Sequence, residues 1–407
     1  MRLNSALCAL AAALSLAAGA AEAKTYRIKP GEAAQPTLEA ALLQAATGDR
    51  IRFGKGGYVF TRGFQLGVAG VRIEGAGADA TVLSFRDQSD GLPALQFTAG
   101  TRLRGLTIED AMNGAVQADG GEGYVFQNLA VRYTAPSRIV TADGFDVQRA
   151  SNVLFDTLAV TGAPDAGVSL SQSANVVLRN LVLEGNGVGV ALLDTSRVDL
   201  YDSALNGNAL GLAIADLAQV AGESASMRIF RNQILRNDKR TRPASLLGLG
   251  APPAVGVLIV AAHDVHLFEN TIGDHGGSNL VILSTSGSPV DPAFVPVPYN
   301  LSVRDNVFGR SGYAPQGQLE TLRGRGVTIP DVLWDGVESY SEGGVVRSLP
   351  VRIGLTNNLK NDGSSLSFLS LGVGRVGAAI EDAKPSASLP QGGAAIAEPA
   401  PVALPRL

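Results

Sequence analysis

Three carboxylates stand close together in the middle of the chain: Asp143 and Asp146, with Asp165 one repeat later. Carboxylates brought within a few ångströms of each other can coordinate calcium, or can do acid and base work on a uronic-acid sugar. Arg149 completes the candidate catalytic set, and Tyr133, Arg138, Gln148, Ser169 and Ser171 are the candidate substrate-binding residues around it. A plainer role competes with this one. Asp143 and Asp165 would cap tight turns through local backbone hydrogen bonds, and Asp146 would be only solvated. The histidines offer less: His263 and His266 are two of three in the chain, and their spacing leaves no evident third ligand, so no metal site is expected there.

What must position these residues is a repeat. Gly167-Val168-Ser169-Leu170, Gly189-Val190-Ala191-Leu192 and Gly211-Leu212-Ala213-Ile214 begin 22 residues apart, and Gly144-Phe145-Asp146-Val147 precedes the first by 23. A second phase, at Asn152-Val153-Leu154-Phe155, Asn175-Val176-Val177-Leu178 and Arg197-Val198-Asp199-Leu200, keeps the same step. Apolar residues alternate with period 2 and are bounded by Gly, Asn, Asp and Ser, which spells short strands and excludes a helical solenoid. Two or three strands per unit close one coil, and coils stack at about 4.8 Å. The fold expected is an all-β, single-stranded right-handed parallel β-helix. Asn128, Thr157, Asn180, Asp202, Asn232, Asn270 and Asn306 recur before a strand and read as one internal polar ladder that satisfies buried turn backbone.

Composition agrees with a solenoid: 49 glycines, one tryptophan and 5% aromatics suit stacked layers of small aliphatic side chains. The net charge of −4 gives no reason to expect nucleic-acid binding. Residues 1–23 carry the basic start, apolar core and Ala21-Glu22-Ala23 site of a secretory signal, with cleavage before Lys24 and a periplasmic or secreted product. No other stretch is apolar enough to span a bilayer. The one cysteine, Cys8, lies in the signal. The body, 24–376, opens with an amphipathic cap helix at about 36–45 and continues in regular coils at about 100–310. Strands at about 345–376 would cover or finish the stack, and the Ala/Pro-rich 377–407 reads as a disordered tail. The chain is taken as a monomer.

If the residue after each repeat glycine points inward, Phe145, Val168, Val190, Leu212 and Val257 form one internal stack, and Val147, Leu170, Leu192, Ile214 and Ile259 a second. The outward columns are then Asp146, Ser169, Ala191, Ala213, Leu258, Val281 and Gln148, Ser171, Leu193, Ala215, Val260, Leu283. They are polar at one end and apolar at the other, so something should lie on the apolar end. The loops at 236–253 and 286–298 and the C-terminal segment are the candidates.

The phrases Gly48-Asp49-Arg50-Ile51, Asp165-Ala166-Gly167-Val168 with Ser173-Ala174-Asn175-Val176, and Ala215-Asp216-Leu217 resemble exported bacterial β-helix repeat proteins of the pectin-lyase-like superfamily. The resemblance covers about residues 25–310 and runs on to about 375. It implies a family that includes pectate lyases, polygalacturonases and alginate epimerases, and members with no known reaction. The polygalacturonase motifs are not present in order, and Asp274-His275-Gly276-Gly277 is a faint echo of one part; the epimerase Asp-Pro-His-Asp phrase is also missing. Two functions remain. One is a lyase- or epimerase-like protein that binds or processes an acidic polysaccharide along its sheet face, with calcium as the candidate cofactor. The other is a non-catalytic envelope β-helix that binds a glycan or a protein partner.

Overall fold

In a computed structural model, which describes residues 22–134, 141–217, 223–239, 252–286, 294–342, 344–348, 352–376, 385–388 and 396–404, the chain is a right-handed parallel β-helix. An eleven-stranded parallel sheet forms one wall, from Phe64–Leu66 to Phe368–Ser370, with one strand per coil. A nineteen-stranded sheet forms the other two walls. Each coil crosses it, bends, and continues in it, as in the eleven-residue strands Ser151–Thr161 and Ala174–Glu184.

The bend has a local cause. Asn128, Thr157, Asn180, Asp202, Arg231, Glu269, Asp305 and Asn357 all adopt left-handed backbone, with φ between 51° and 59°. Asn and Asp tolerate this conformation best, and five of the eight are Asn or Asp. The internal ladder is the next residue along. Asn232, Asn270 and Asn306 are buried; Asn270 and Asn306 each take the backbone N–H and side-chain N–H of the asparagine one coil earlier, Asn232 takes the Ser203 N–H, and each Nδ2 donates to a carbonyl such as Ile229 O. The single column expected from spacing is therefore two neighbouring columns: Asn128, Thr157, Asn180 and Asp202 are exposed bend residues, and Asn232, Asn270 and Asn306 are the buried ladder. A second ladder, Asn186, Asn208, Asn237 and His275, runs along another turn, each backbone N–H bonded to the next side chain at 2.9–3.1 Å.

The inward stacks fall where the repeat places them. Phe145, Val168, Val190, Leu212 and Val257 are in register, as are Val147, Leu170, Leu192, Ile214 and Ile259, and all are buried. The repeat glycine owes its identity to stacking. A Cβ on Gly144, Gly167, Gly189 or Gly211 would lie 2.4–2.9 Å from the carbonyl oxygen of the next glycine in the column. The cap helix is Ala34–Gln44, which turns Ala34, Leu38 and Ala41 onto the first coils.

The apolar end of the outer face is covered by a helix not expected from the sequence, Gln318–Gly324, whose Leu319 and Leu322 join Ile329 and Leu371 over Ala213, Leu258, Val281 and Leu333. Phe294, expected there, packs against this cluster; Leu246, Leu247 and Leu249 lie outside the described residues. Of the C-terminal segment, Ile353–Thr356, Leu359–Lys360 and Phe368–Ser370 finish the stack in parallel register, whereas Ser339–Glu342 and Val345–Ser348 form an exposed antiparallel hairpin. Part of the tail is laid on the nineteen-stranded sheet. Glu398 bridges Arg228 (2.9 Å) and Arg304 (2.6 Å), and the Val402 N–H donates to Asp199.

Candidate functional site

The open half of the eleven-stranded sheet carries one continuous polar column. Gln65, Gln96, Gln117, Asp146 and Ser169 are in register on five successive strands, pointing outward between buried apolar neighbours. Exposure falls along it, from exposed Gln65 through half-buried Gln96, Gln117 and Asp146 to buried Ser169 and Ala191, after which the column is apolar and covered. Gln65 Nε2 donates to Gln96 Oε1, Gln96 Nε2 to Gln117 Oε1 at 2.8 Å, and Gln117 Nε2 to Asp146 Oδ2 at 3.2 Å. Gln96 and Gln117 each spend one donor and one acceptor on the ladder and keep one of each for a ligand, and Gln65, at its start, spends only a donor.

At the end of this column lies a polar pocket of about 190 Å³, lined by Asn113, Gln117, Thr141, Asp143, Asp146 and Asp165. The three carboxylates singled out from the sequence do line one cavity. Asp143 Oδ1 accepts the Ala166 N–H at 2.7 Å, so Asp143 also ties two coils together. Burial, and then the charge of Asp165, push the Asp143 carboxyl well above the usual carboxylate range, and the Ala166 N–H opposes this. Burial also raises Asp146, eased by hydrogen bonds from Gln117 and from Gln148 at 2.8 Å. Two carboxyls whose proton affinity is raised beside a cleft are suited to hydrogen-bond sugar hydroxyls and to move protons.

The other expected site residues divide. Gln148 reaches the pocket through Asp146, and Ser171 follows it in the second outward column. Ser169 is buried in the strand beyond. Tyr133 is structural: it is buried, and its hydroxyl donates to the Asp143 carbonyl at 2.6 Å. Arg149 stands at the turn after Gln148, and its guanidinium is held by Asp119, not by the carboxylate cluster. Arg138 lies outside the described residues. Among the described residues no group of three or more His, Cys, Asp or Glu is arranged to hold a metal ion, and one oxygen of each of Asp143 and Asp146 accepts from N–H donors. No step is routed through calcium.

Sequence reasoning overlooked Gln65, Gln96 and Gln117. Their signal was present as a polar residue between two inward apolar ones (Phe64-Gln65-Leu66, Leu95-Gln96-Phe97, Val116-Gln117-Ala118), but loops between these coils break the 22-residue step. His275 is also settled: it is fully buried, pushed down to about 3 by burial, and its Nδ1 accepts the Asn237 N–H as the end of a ladder. Asp194 and Asp216, at successive turns, are buried carboxyls, and burial raises the proton affinity of both.

The fold is shared with proteins of several activities. Over 81% of the chain it superposes on 85% of the A-module of the Azotobacter vinelandii mannuronan C-5 epimerase AlgE4, with a TM-score of 0.56 and 16% identity. Over 84% it superposes on 86% of PfbA, a surface adhesin of Streptococcus pneumoniae (TM-score 0.51, 12% identity). A thermostable GH87 alpha-1,3-glucanase from Streptomyces thermodiastaticus matches 87% of the chain at a TM-score of 0.50 and 16% identity, and the chain spans only 56% of that catalytic unit. At such identities the likeness is one of fold. No curated protein matches by sequence. Residues 94–308, over half of the chain, match the model of the family described as the right handed beta helix region, and the chain belongs to that family.

Proposed function

We propose that this is an exported protein that binds a polysaccharide along the open half of its eleven-stranded sheet, with the sugar chain lying over Gln65, Gln96, Gln117 and Asp146. The observation that carries the reading is the polar column itself: it is linked by hydrogen bonds, has donors and acceptors to spare, and ends where helix Gln318–Gly324 and its neighbours close the face. A row of polar groups at strand spacing meets an extended polymer at every coil. Export rests on the signal sequence. Among the described residues, no helix is long and apolar enough to cross a membrane.

One observation favours a second, catalytic reading. Asp146, raised by burial and open to the pocket, is placed to move a proton on a bound sugar, as a lyase or epimerase of an acidic polysaccharide requires. Arg149 supplies no free guanidinium while Asp119 holds it. Binding alone needs neither.

Affinity electrophoresis of the purified protein in gels containing alginate, pectin or a neutral glucan tests the binding reading. Retardation by at least one that survives added salt, and is lost in Gln96→Ala/Gln117→Ala, is expected; no salt-resistant retardation, or salt-resistant retardation unchanged in the variant, overturns it. Absorbance of unsaturated products and proton NMR of the polymer report the lyase and epimerase reactions. Activity that survives Asp146→Asn removes Asp146 from the chemistry.

A further inference from the structure

The first coils of the nineteen-stranded sheet carry a strip of arginines on their outer face. Arg50, Arg72 and Arg102 are in register on three successive strands, above the buried stack of Ile51, Ile73 and Leu103. Beside them runs a second column, Arg27, Arg52, Glu74 and Arg104. Glu74 is the one carboxylate in the strip; it is buried and serves Arg104 at 2.8 Å and Arg52 at 3.7 Å. Among the described residues, no ion pair joins Arg50, Arg72 or Arg102 to a carboxylate. Six arginines against one glutamate is a local concentration of positive charge on a chain whose net charge is −4.

Like charges directly opposite on neighbouring strands destabilise a sheet. The repulsion is felt at Arg102, where burial and the charges of Arg72 and Arg104 lower its proton affinity. A solenoid gains nothing structural from such a column, so its use lies in what it attracts. Guanidinium forks pair with carboxylate or sulfate oxygens two bonds at a time. Set one per coil, about 4.8 Å apart, they draw a line of charge along the solenoid axis. A shallow depression of about 100 Å³ between Arg72, Glu74, Arg102, Arg104, Val125 and Gln127 gives the line a floor. Val125 and Gln127 continue the two columns, and none of these outward residues is an aromatic side chain on which bases would stack.

We infer that the Arg50–Arg72–Arg102 column is a binding site for an anionic polysaccharide, which lies along the axis with its acidic groups on successive guanidiniums. This rests on the glycan-binding reading for the class of polymer, but it uses a different sheet and different residues. The acidic character expected of the ligand is met here, where the cations are, and not in the carboxylate pocket.

Titration of the full-length protein with an oligogalacturonate, a neutral malto-oligosaccharide and a single-stranded DNA oligonucleotide, at low and high salt, tests it. Oligogalacturonate should bind with an affinity that falls steeply with salt, and Arg72→Gln/Arg102→Gln should weaken it about tenfold or more while Tm holds or rises, because repulsion is relieved. Arg72→Lys, which keeps the charge and loses the fork, should lie between. Unchanged affinity in the double variant, or a lowered Tm, overturns the inference, and DNA bound more tightly than the oligogalacturonate overturns the class of ligand. Gln96→Ala/Gln117→Ala should leave this salt-sensitive binding intact, so the two sites fail independently.

Discussion

Asp143 holds a carboxyl where a neutral group is preferred, and the consequence is measurable. Its proton affinity is raised in the folded chain, so its contribution to stability is fully present below the ordinary carboxylate range, near pH 4, and is lost as pH rises through the folded value. Asp143→Asn keeps an oxygen to accept the Ala166 N–H and removes the ionisation. The variant should be more stable than wild type at pH 7, by about 1.4 kcal/mol for each pKa unit of the shift below that pH, and its Tm should vary less between pH 4 and 8. Scanning calorimetry across that range checks this; a variant less stable at every pH would show that the carboxylate is needed charged. The residues of the pocket were legible in the sequence because Asp143, Asp146 and Asp165 lie on regular coils. The partners of Tyr133 and Arg149 were not legible, because sequence proximity says nothing about which partner a side chain finds: Tyr133 donates to the Asp143 carbonyl, and Asp119, one coil earlier, holds the guanidinium.

At the scale of the coil, two neighbouring columns do different work. Asn270 is buried, its side chain serves both the coil before and the coil after, and Asn270→Ala leaves several buried groups unpaired. At roughly 1–3 kcal/mol for each such group, the loss should exceed about 3 kcal/mol in urea denaturation. Asn180→Ala places alanine at an exposed left-handed bend, where φ is 56°, and should cost only about 1–2 kcal/mol. Equal losses would contradict the division. The sequence could not separate the columns: repeat steps of 22 and 23 residues blur a one-residue offset, and Asn is favoured at both places for unrelated reasons, left-handed backbone at one and amide pairing at the other. The strand faces were far more legible, because burial of alternate residues allows only one register.

For the whole molecule, the parallel β-helix and its direction of polarity could be read from periodicity, since each coil repeats the same burial problem. What periodicity could not reach were the pieces that occur once. Helix Gln318–Gly324 has no counterpart in other coils, and the binding of Glu398 by Arg228 and Arg304 joins residues far apart in the chain. The resulting solenoid has one face divided into an open polar half and a closed apolar half, and another face whose first coils are strongly basic. The claim that the open half is where a polysaccharide lies is tested most directly by a crystal structure of the protein with an oligosaccharide that it retards. The sugar rings should lie over Gln65, Gln96, Gln117 and Asp146 with hydrogen bonds to the free amide groups. A neutral oligosaccharide seated anywhere else on the molecule would contradict it.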